Sequence, residues 1–188
     1  SQEDTYKALT DLGVVVKLNT MVVDYVDDTV HFSNGETIQT KNLIWAAGVS
    51  AKAFEGIPEE SYGRGKRMAT DAFNKVNGTQ NIYAIGDTCI QLTDEGFPNG
   101  HPQVAQVAIQ QGINLAQNFK LLKDNKQMRP FKYHDKGSMA IIGKNKAVVD
   151  LPKPKMHFKG FFAWMIWLFI HLISLIAYRN RVKTFYNW

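Results

Sequence analysis

Three short apolar runs constrain this chain more than any other feature: VVVKL at 14–18, NLIWAAGVS at 42–50 and NIYAIG at 81–86. Runs of this length with little alternation read as strands buried on both faces, the form strands take in a parallel sheet. The second ends in Ala-Ala-Gly and the third in Gly-Asp. Removing side chains where a strand stops lets backbone or ligand approach closely, and a plain turn is the bland alternative. Between the first two runs the pattern changes. MVVDYV (21–26) and TVHFS (29–33) alternate, and SNGE (33–36) carries an Asn-Gly hairpin signal before TIQT, so an antiparallel excursion interrupts the parallel strands. Residues 51–80 are polar and Gly-rich and read as a crossover. The fold class expected is α/β.

Residues 3–11 read as the end of an amphipathic helix, with Tyr6, Leu9 and Leu12 at helical spacing and Gly13 closing it. A helix feeding a strand at the very start resembles the middle of a domain, so the chain is expected to be a fragment. After Asp87 a loop leads to a long helix over QVAQVAIQQGINLAQNFKLLKD, with Pro102 near its first turn. Residues 130–151 read as a β-hairpin turning at 143–146, and PKPK then introduces the last segment.

Apolar residues make up 45% of the 188, enough for a core. The formal charge of +5 hides an asymmetry. Residues 1–119 hold 8 Lys/Arg against 14 Asp/Glu, a net of −6, whereas 120–188 hold 14 against 3, a net of +11. The C-terminal third is therefore expected to meet an anionic surface, either phospholipid or nucleic acid. Nucleic acid is the weaker reading, since no basic sheet motif interleaved with aromatics is visible. The single cysteine, Cys89, excludes an intrachain disulfide and a C-x-x-C pattern. The histidines lack metal-ligand spacing, and no metal site is expected.

FFAWMIWLFIHLISLIAY (161–178) has 18 residues without a formal charge. A membrane span needs about 20 apolar residues, so the length is marginal. Trp164, Trp167, His171, Ser174 and Tyr178 share one helical stripe that carries every polar-capable group. Basic residues flank both ends: Lys153, Lys155 and Lys159 before, Arg179, Arg181 and Lys183 after. The preferred reading is an amphipathic helix lying in the membrane surface, with a span and a buried core helix as alternatives. Anionic headgroups would reward the flanking charge by about 1 kcal/mol per basic residue.

The chemistry concentrates after the third run. The helix beginning near Pro102 has no charged side chain in its first turns, so its start offers free N–H groups and partial positive charge. A reduced flavin develops negative charge at its pyrimidine edge, which such a start stabilises. Asp87 would then accept a ribityl hydroxyl and fix the ring, with a structural turn as the alternative for Gly86–Asp87. Gln106 and Gln110 lie four apart on one helix face, either as ligand-binding amides or as a solvent-facing pair. Lys136, beside Gly137 and Met139, is a site cation or a surface lysine. Cys89 reads as a small buried residue, not a nucleophile.

LIWAAGV, NIYAIGD, AQVAIQQG, DKGSMAIIGK and GFFAWMIWLFIHL…YRNRV…NW, in that order, resemble the C-terminal half of the type II NADH dehydrogenases, single-subunit flavoprotein NADH:quinone oxidoreductases. The resemblance implies a two-dinucleotide-binding-domain flavoprotein fold, truncated, with a C-terminal amphipathic membrane helix. Residues 1–48 would be the last part of the NADH-binding domain, 49–122 the last part of the FAD-binding domain, and 123–188 the hairpin and membrane-anchor region. Ala47 and Gly48 would face nicotinamide and flavin. Gly86, Asp87 and the helix start at Val104, Ala105 and Gln106 would contact FAD. Gln106, Gln110 and Met139 would line the quinone site, and Lys136 would stand near the flavin and assist protonation of reduced quinone.

By the same resemblance, NADH is the substrate, electrons pass through FAD to a quinone without proton pumping, and the protein is a respiratory-chain enzyme. It would sit peripherally on the cytoplasmic face of a bacterial inner membrane, on anionic phospholipid, as a homodimer. No G-x-G-x-x-G occurs. Both phosphate turns would belong to the N-terminal half of the same enzyme, and the isolated chain is expected to be inactive. A sulfide:quinone reductase is the alternative enzyme, but it needs cysteine pairs flanking the flavin, which Cys89 alone cannot form. A non-catalytic membrane-surface module that binds no flavin is the alternative outside enzymes.

Overall fold

The computed structural model describes residues 2–175 and 177–187. The chain divides into two compact units: one made of the segments up to Trp45 and from Asp135 onward, the other of Ala46–His134.

In the first unit, α1 (Gln2–Asp11) ends where expected. Gly13 takes φ +81, and the N–H groups of Gly13 and Val14 bond back to the carbonyls of Thr10 and Leu9. The left-handed residue satisfies carbonyls that the helix end would leave open. β1 (Val22–Val26), β2 (Thr29–Phe32) and β3 (Thr37–Gln39) form an antiparallel meander, with Val30 opposite Tyr25 and Ile38. The Asn-Gly turn joins β2 to β3 as read, with Gly35 at φ +83.

A second antiparallel sheet combines β6 (Ser138–Gly143), β7 (Lys146–Pro152) and β8 (Lys155–Lys159). Its first turn pairs Gly143 with Lys146, at the predicted place. β8 is a strand the sequence reading passed over, since it starts at the end of the PKPK stretch read as introducing the last segment. Pro152 pairs with Lys155 across the intervening turn. Gly137, at φ +101, lets the chain enter β6 close to β7: a Cβ there would lie 2.3 Å from the Asp150 carbonyl oxygen. α3 (Gly160–Ser174) lies on this sheet, and Ala147, Val149 and Ala163 form the core with Met139, Leu151, Phe158, Trp164 and Ile166 around them.

The C-terminal apolar run is not one helix. α3 stops at Leu175, whose ψ of 130° is extended, and α4 (Tyr178–Asn187) begins afresh. Arg181 bonds to the Ile173 and Leu175 carbonyls at 3.0 and 2.9 Å, placing a cation on the negative end of α3. Tyr178 therefore leaves the stripe predicted for it, which ends at Ser174. Trp164 packs on the core, and Trp167 stacks on His171. Phe161, Met165, Phe169 and Ile173, at i, i+4, i+8 and i+12, point outward and are all exposed. Among the described residues no helix is long and apolar enough to cross a membrane.

The second unit holds one short parallel pair, β4 (Met68–Thr70) with β5 (Cys89–Gln91). α2 (Ala105–Lys123) packs against the turn at 86–88. It begins three residues after Pro102, which lies outside the helix and not in its first turn. One core cluster joins Met68, Val76, Ala84 and Cys89; another joins Val107, Phe131 and Tyr133.

The three apolar runs depart from expectation. Residues 14–18 and 42–50 form no strand, and 81–86 makes only the bridge from Lys75 to Tyr83. Val15, Ile44 and Trp45 are among the most exposed large apolar residues. A parallel strand exists only through its neighbours, and among the described residues no strand pairs with these runs.

Candidate functional site

Within the second unit the predicted strand tip and helix start do meet. Gly86–Thr88 form a single 3₁₀ turn after Ile85. Gly86 adopts φ +66, and a Cβ there would lie 3.1 Å from that of Ala108 on α2. Its N–H donates to Gln111 Oε1 at 2.6 Å. Asp87 is exposed, and its backbone carbonyl accepts a bond from Gln103 Nε2 at 3.3 Å.

α2 opens at Val104, an extended residue (φ −136, ψ 149) without a side-chain cap, and no acidic residue occupies the first turn. Val107 N–H bonds to the Val104 carbonyl. Helix starts leave several N–H groups without intrahelical partners, and a side chain at the cap usually takes one of them. Val104 and Ala105 are exposed, Gln106 half-buried.

Gln110 is occupied in a way its spacing did not reveal. Its Nε2 donates to the His134 carbonyl and its Oε1 accepts the His134 N–H, both at 3.0 Å, so the amide pairs with backbone much as a neighbouring strand would. Ala47 and Gly48 lie in the same unit on exposed backbone, with Gly48 at φ +98 and open space around it. Lys136 and Met139 belong to the first unit. Lys136 is exposed; Met139 packs on the β6–β8 core and lines a groove of about 540 Å³ between α1 and that sheet.

Cys89 is 1% exposed, and burial pushes its thiol pKa up, as expected for an inert structural thiol. Two polar devices escaped the sequence reading. Asp94 accepts from His101 Nε2 at 2.9 Å and from Gly96 N–H at 3.0 Å, beneath Phe97, Phe131 and Tyr133. Burial raises its carboxyl pKa, but these hydrogen bonds outweigh that and leave it below the usual carboxylate range. In the first unit, His157 bridges Asp150 at 2.6 Å and Asp4 at 2.9 Å, and Lys159 also holds Asp4. Neither set follows a recognisable motif: Asp94 and His101 are seven residues apart in one loop, and Asp4 reaches His157 and Lys159 from the other end of the sequence. No group of His, Cys, Asp and Glu suited to a metal ion occurs among the described residues.

Residues 3–112 match the pyridine nucleotide-disulphide oxidoreductase family, and 135–188 match the NDH2 C-terminal domain. The type II NADH:quinone oxidoreductase NdhA of Mycobacterium tuberculosis is 34% identical over 195 residues, covering 97% of this chain and 40% of that protein. The internal alternative NAD(P)H-ubiquinone oxidoreductase A1 of Arabidopsis thaliana mitochondria is 31% identical, covering 82% of this chain and 33% of that protein. The chain thus spans about two fifths or less of the length of these relatives. The structure of NDH2 from Plasmodium falciparum in complex with NADH superposes with a TM-score of 0.81 at 20% identity, over 97% of this chain and 52% of that one, a likeness of fold. A profile over most of the N-terminal 112 residues, a second over the C-terminal 54 and a shared fold agree. The chain belongs to the pyridine nucleotide-disulphide oxidoreductases and, within them, to the type II NADH dehydrogenases, whose C-terminal portion it matches.

Proposed function

We propose that this chain supplies the pyrimidine edge of an FAD site, a quinone contact and a lipid contact to an enzyme that oxidises NADH and reduces a membrane quinone without pumping protons. The observation that carries the reading is the Gly86–Asp87 turn packed against an uncapped helix start. FAD, when bound, supplies the two-electron chemistry. The residues fit its needs. Asp87 offers an exposed carboxylate to a ribityl hydroxyl, and the N–H groups at Val104–Gln106 meet the negative charge of the reduced ring. Ala47 and Gly48 leave room for nicotinamide and flavin. Gln106 orients the quinone. Lys136 holds a proton for the reduced product, with Met139 as apolar lining. Gln110 lines the quinone site with Gln106, its amide fixed by its pairing with the His134 backbone.

The division at residues 48 and 122 belongs to the same proposal, as does the N-terminal half of the enzyme as the source of both phosphate-binding turns. The outward stripe of α3, with basic residues in β8 and α4, supports attachment to anionic phospholipid. We place the enzyme on the cytoplasmic face of a bacterial inner membrane, as a homodimer. In the holoenzyme, Lys136→Met should slow quinone reduction at least about tenfold, as loss of a positioned proton donor does. Flavin reduction by NADH should stay within about twofold. Equal slowing of both half-reactions would overturn the assignment of Lys136.

A further inference from the structure

The amide next to Gln110 does different work. Gln111 is 1% exposed and among the largest fully buried side chains in the chain. An amide withdrawn from water is costly unless its polar atoms are engaged. Oε1 accepts the Gly86 N–H at 2.6 Å, and the Cys89 sulfur lies 3.5 Å from Nε2 and 3.6 Å from Oε1. One side chain of α2 therefore grips both ends of the Gly86–Thr88 turn.

The local backbone makes that grip consequential. Gly86 turns a left-handed corner within van der Waals contact of Ala108, one helical turn before Gln111. Its N–H faces the helix surface and not water. Asp87 follows at once, and its own carbonyl is held by Gln103 from the segment leading into α2. The turn's own bonds run from Cys89 N–H to the Gly86 carbonyl and from Thr88 Oγ1 to the Ile85 carbonyl. The contacts made by Gln111 and Gln103 come from α2 and its approach, and they register Asp87 against the helix start.

We propose that Gln111 is a positioning residue for the flavin site, setting where Asp87 stands relative to the first turn of α2. The proposal rests on the flavin reading above. Gln111 does not touch the flavin; it acts through Gly86 and Asp87, as outer partners of a site orient the groups that make contact. Methionine at 111 would fill a similar volume but leave the Gly86 N–H buried without an acceptor. The turn would shift to find one.

The test is a double-mutant cycle on FAD affinity, measured by quenching of flavin fluorescence when the FAD-stripped holoenzyme is titrated with FAD. Asp87→Ala and Gln111→Met should each weaken binding about tenfold, the value of roughly one hydrogen bond. The double variant should bind within about threefold of Asp87→Ala alone, because Gln111 acts through Asp87; independent effects would multiply to about a hundredfold. Gln111→Glu retains an acceptor for Gly86 and should bind within about threefold of wild type; it replaces the methionine variant should that fail to fold, and a tenfold loss with glutamate would count against the role. Unchanged affinity in Asp87→Ala overturns the flavin reading itself. An effect of Asp87→Ala, with Gln111→Met silent or multiplicative, overturns only the positioning role.

Discussion

Val15 and Val149 are the same residue in the same unit, yet Val15 is 84% exposed and Val149 0%. Val149 stands in β7 with Met139 opposite it on β6, Phe158 opposite it on β8, and Ala163 of α3 in the same core cluster. Val15 lies in an equally apolar run that pairs with no strand among the described residues. The residues do not account for the contrast; the distance to their partners does. β6, β7 and β8 follow one another through short turns, so each strand finds its neighbour within a few residues. A parallel strand takes its neighbours from across a crossover, at a larger entropic cost of closure. An apolar run is material for a strand, and only a partner makes it one.

Amide exchange gives the largest effect by which to break this comparison. The Val149 N–H should exchange at least about a hundredfold more slowly than that of Val15, since one lies inside a covered sheet and the other outside any ladder. Equal protection of the two would mean that 14–18 has found a partner after all. Side-chain truncation sharpens the same contrast. Val149→Ala should cost about 2 kcal/mol in denaturant unfolding, through lost transfer energy and a cavity that the packed sheet cannot close. Val15→Ala should stay within about 0.5 kcal/mol, as exposed substitutions do.

The smallest effect separates closure by apolar contact from closure by a buried polar pair. The Asp94 carboxyl is held below its ordinary pKa, chiefly against the opposing pull of burial, by His101 and the N–H groups of Gly96 and Tyr133. A depressed carboxyl stabilises the fold above its unfolded value of about 3.9, and that contribution is lost as pH falls through the lower folded value. Acid titration of stability should therefore show a loss below about pH 4 that Asp94→Asn flattens, whereas the ratio of Val149 to Val15 effects should not change with pH. An unaltered acid limb in Asp94→Asn would show that the loop from 94 to 101 is held by its aromatic rings alone.

The antiparallel parts of the molecule were legible because their instructions are local. Asn34–Gly35 sits at the β2–β3 turn, Gly143 and Lys146 close the β6–β7 turn, and Gly13 ends α1. The break after Ser174 was not legible, since residues on both sides are apolar and helix-compatible. Periodicity placed Trp164 and Trp167 on one stripe; the fold packs Trp164 on the core and leaves Phe161, Met165, Phe169 and Ile173 exposed on another side. At the candidate site, Gly86, Asp87 and Val104–Gln106 could be picked out by residue type. Gln111 could not, because a glutamine beside another glutamine carries no sign of which one the helix turns inward.

The amino-acid sequence by itself determined the short-range elements and the chemical inventory: turns that need glycine, helices that need periodicity, an acidic Gly-Asp tip, two candidate site amides and a basic, aromatic C-terminal third. The tertiary structure alone decided which apolar runs gained partners, which amide was buried, and how Asp4 came to meet His157 and Lys159 from the other end of the sequence. The reason is range. Turn and helix preferences act over a few residues, whereas strand pairing and side-chain burial depend on surfaces that exist only once separate segments have packed.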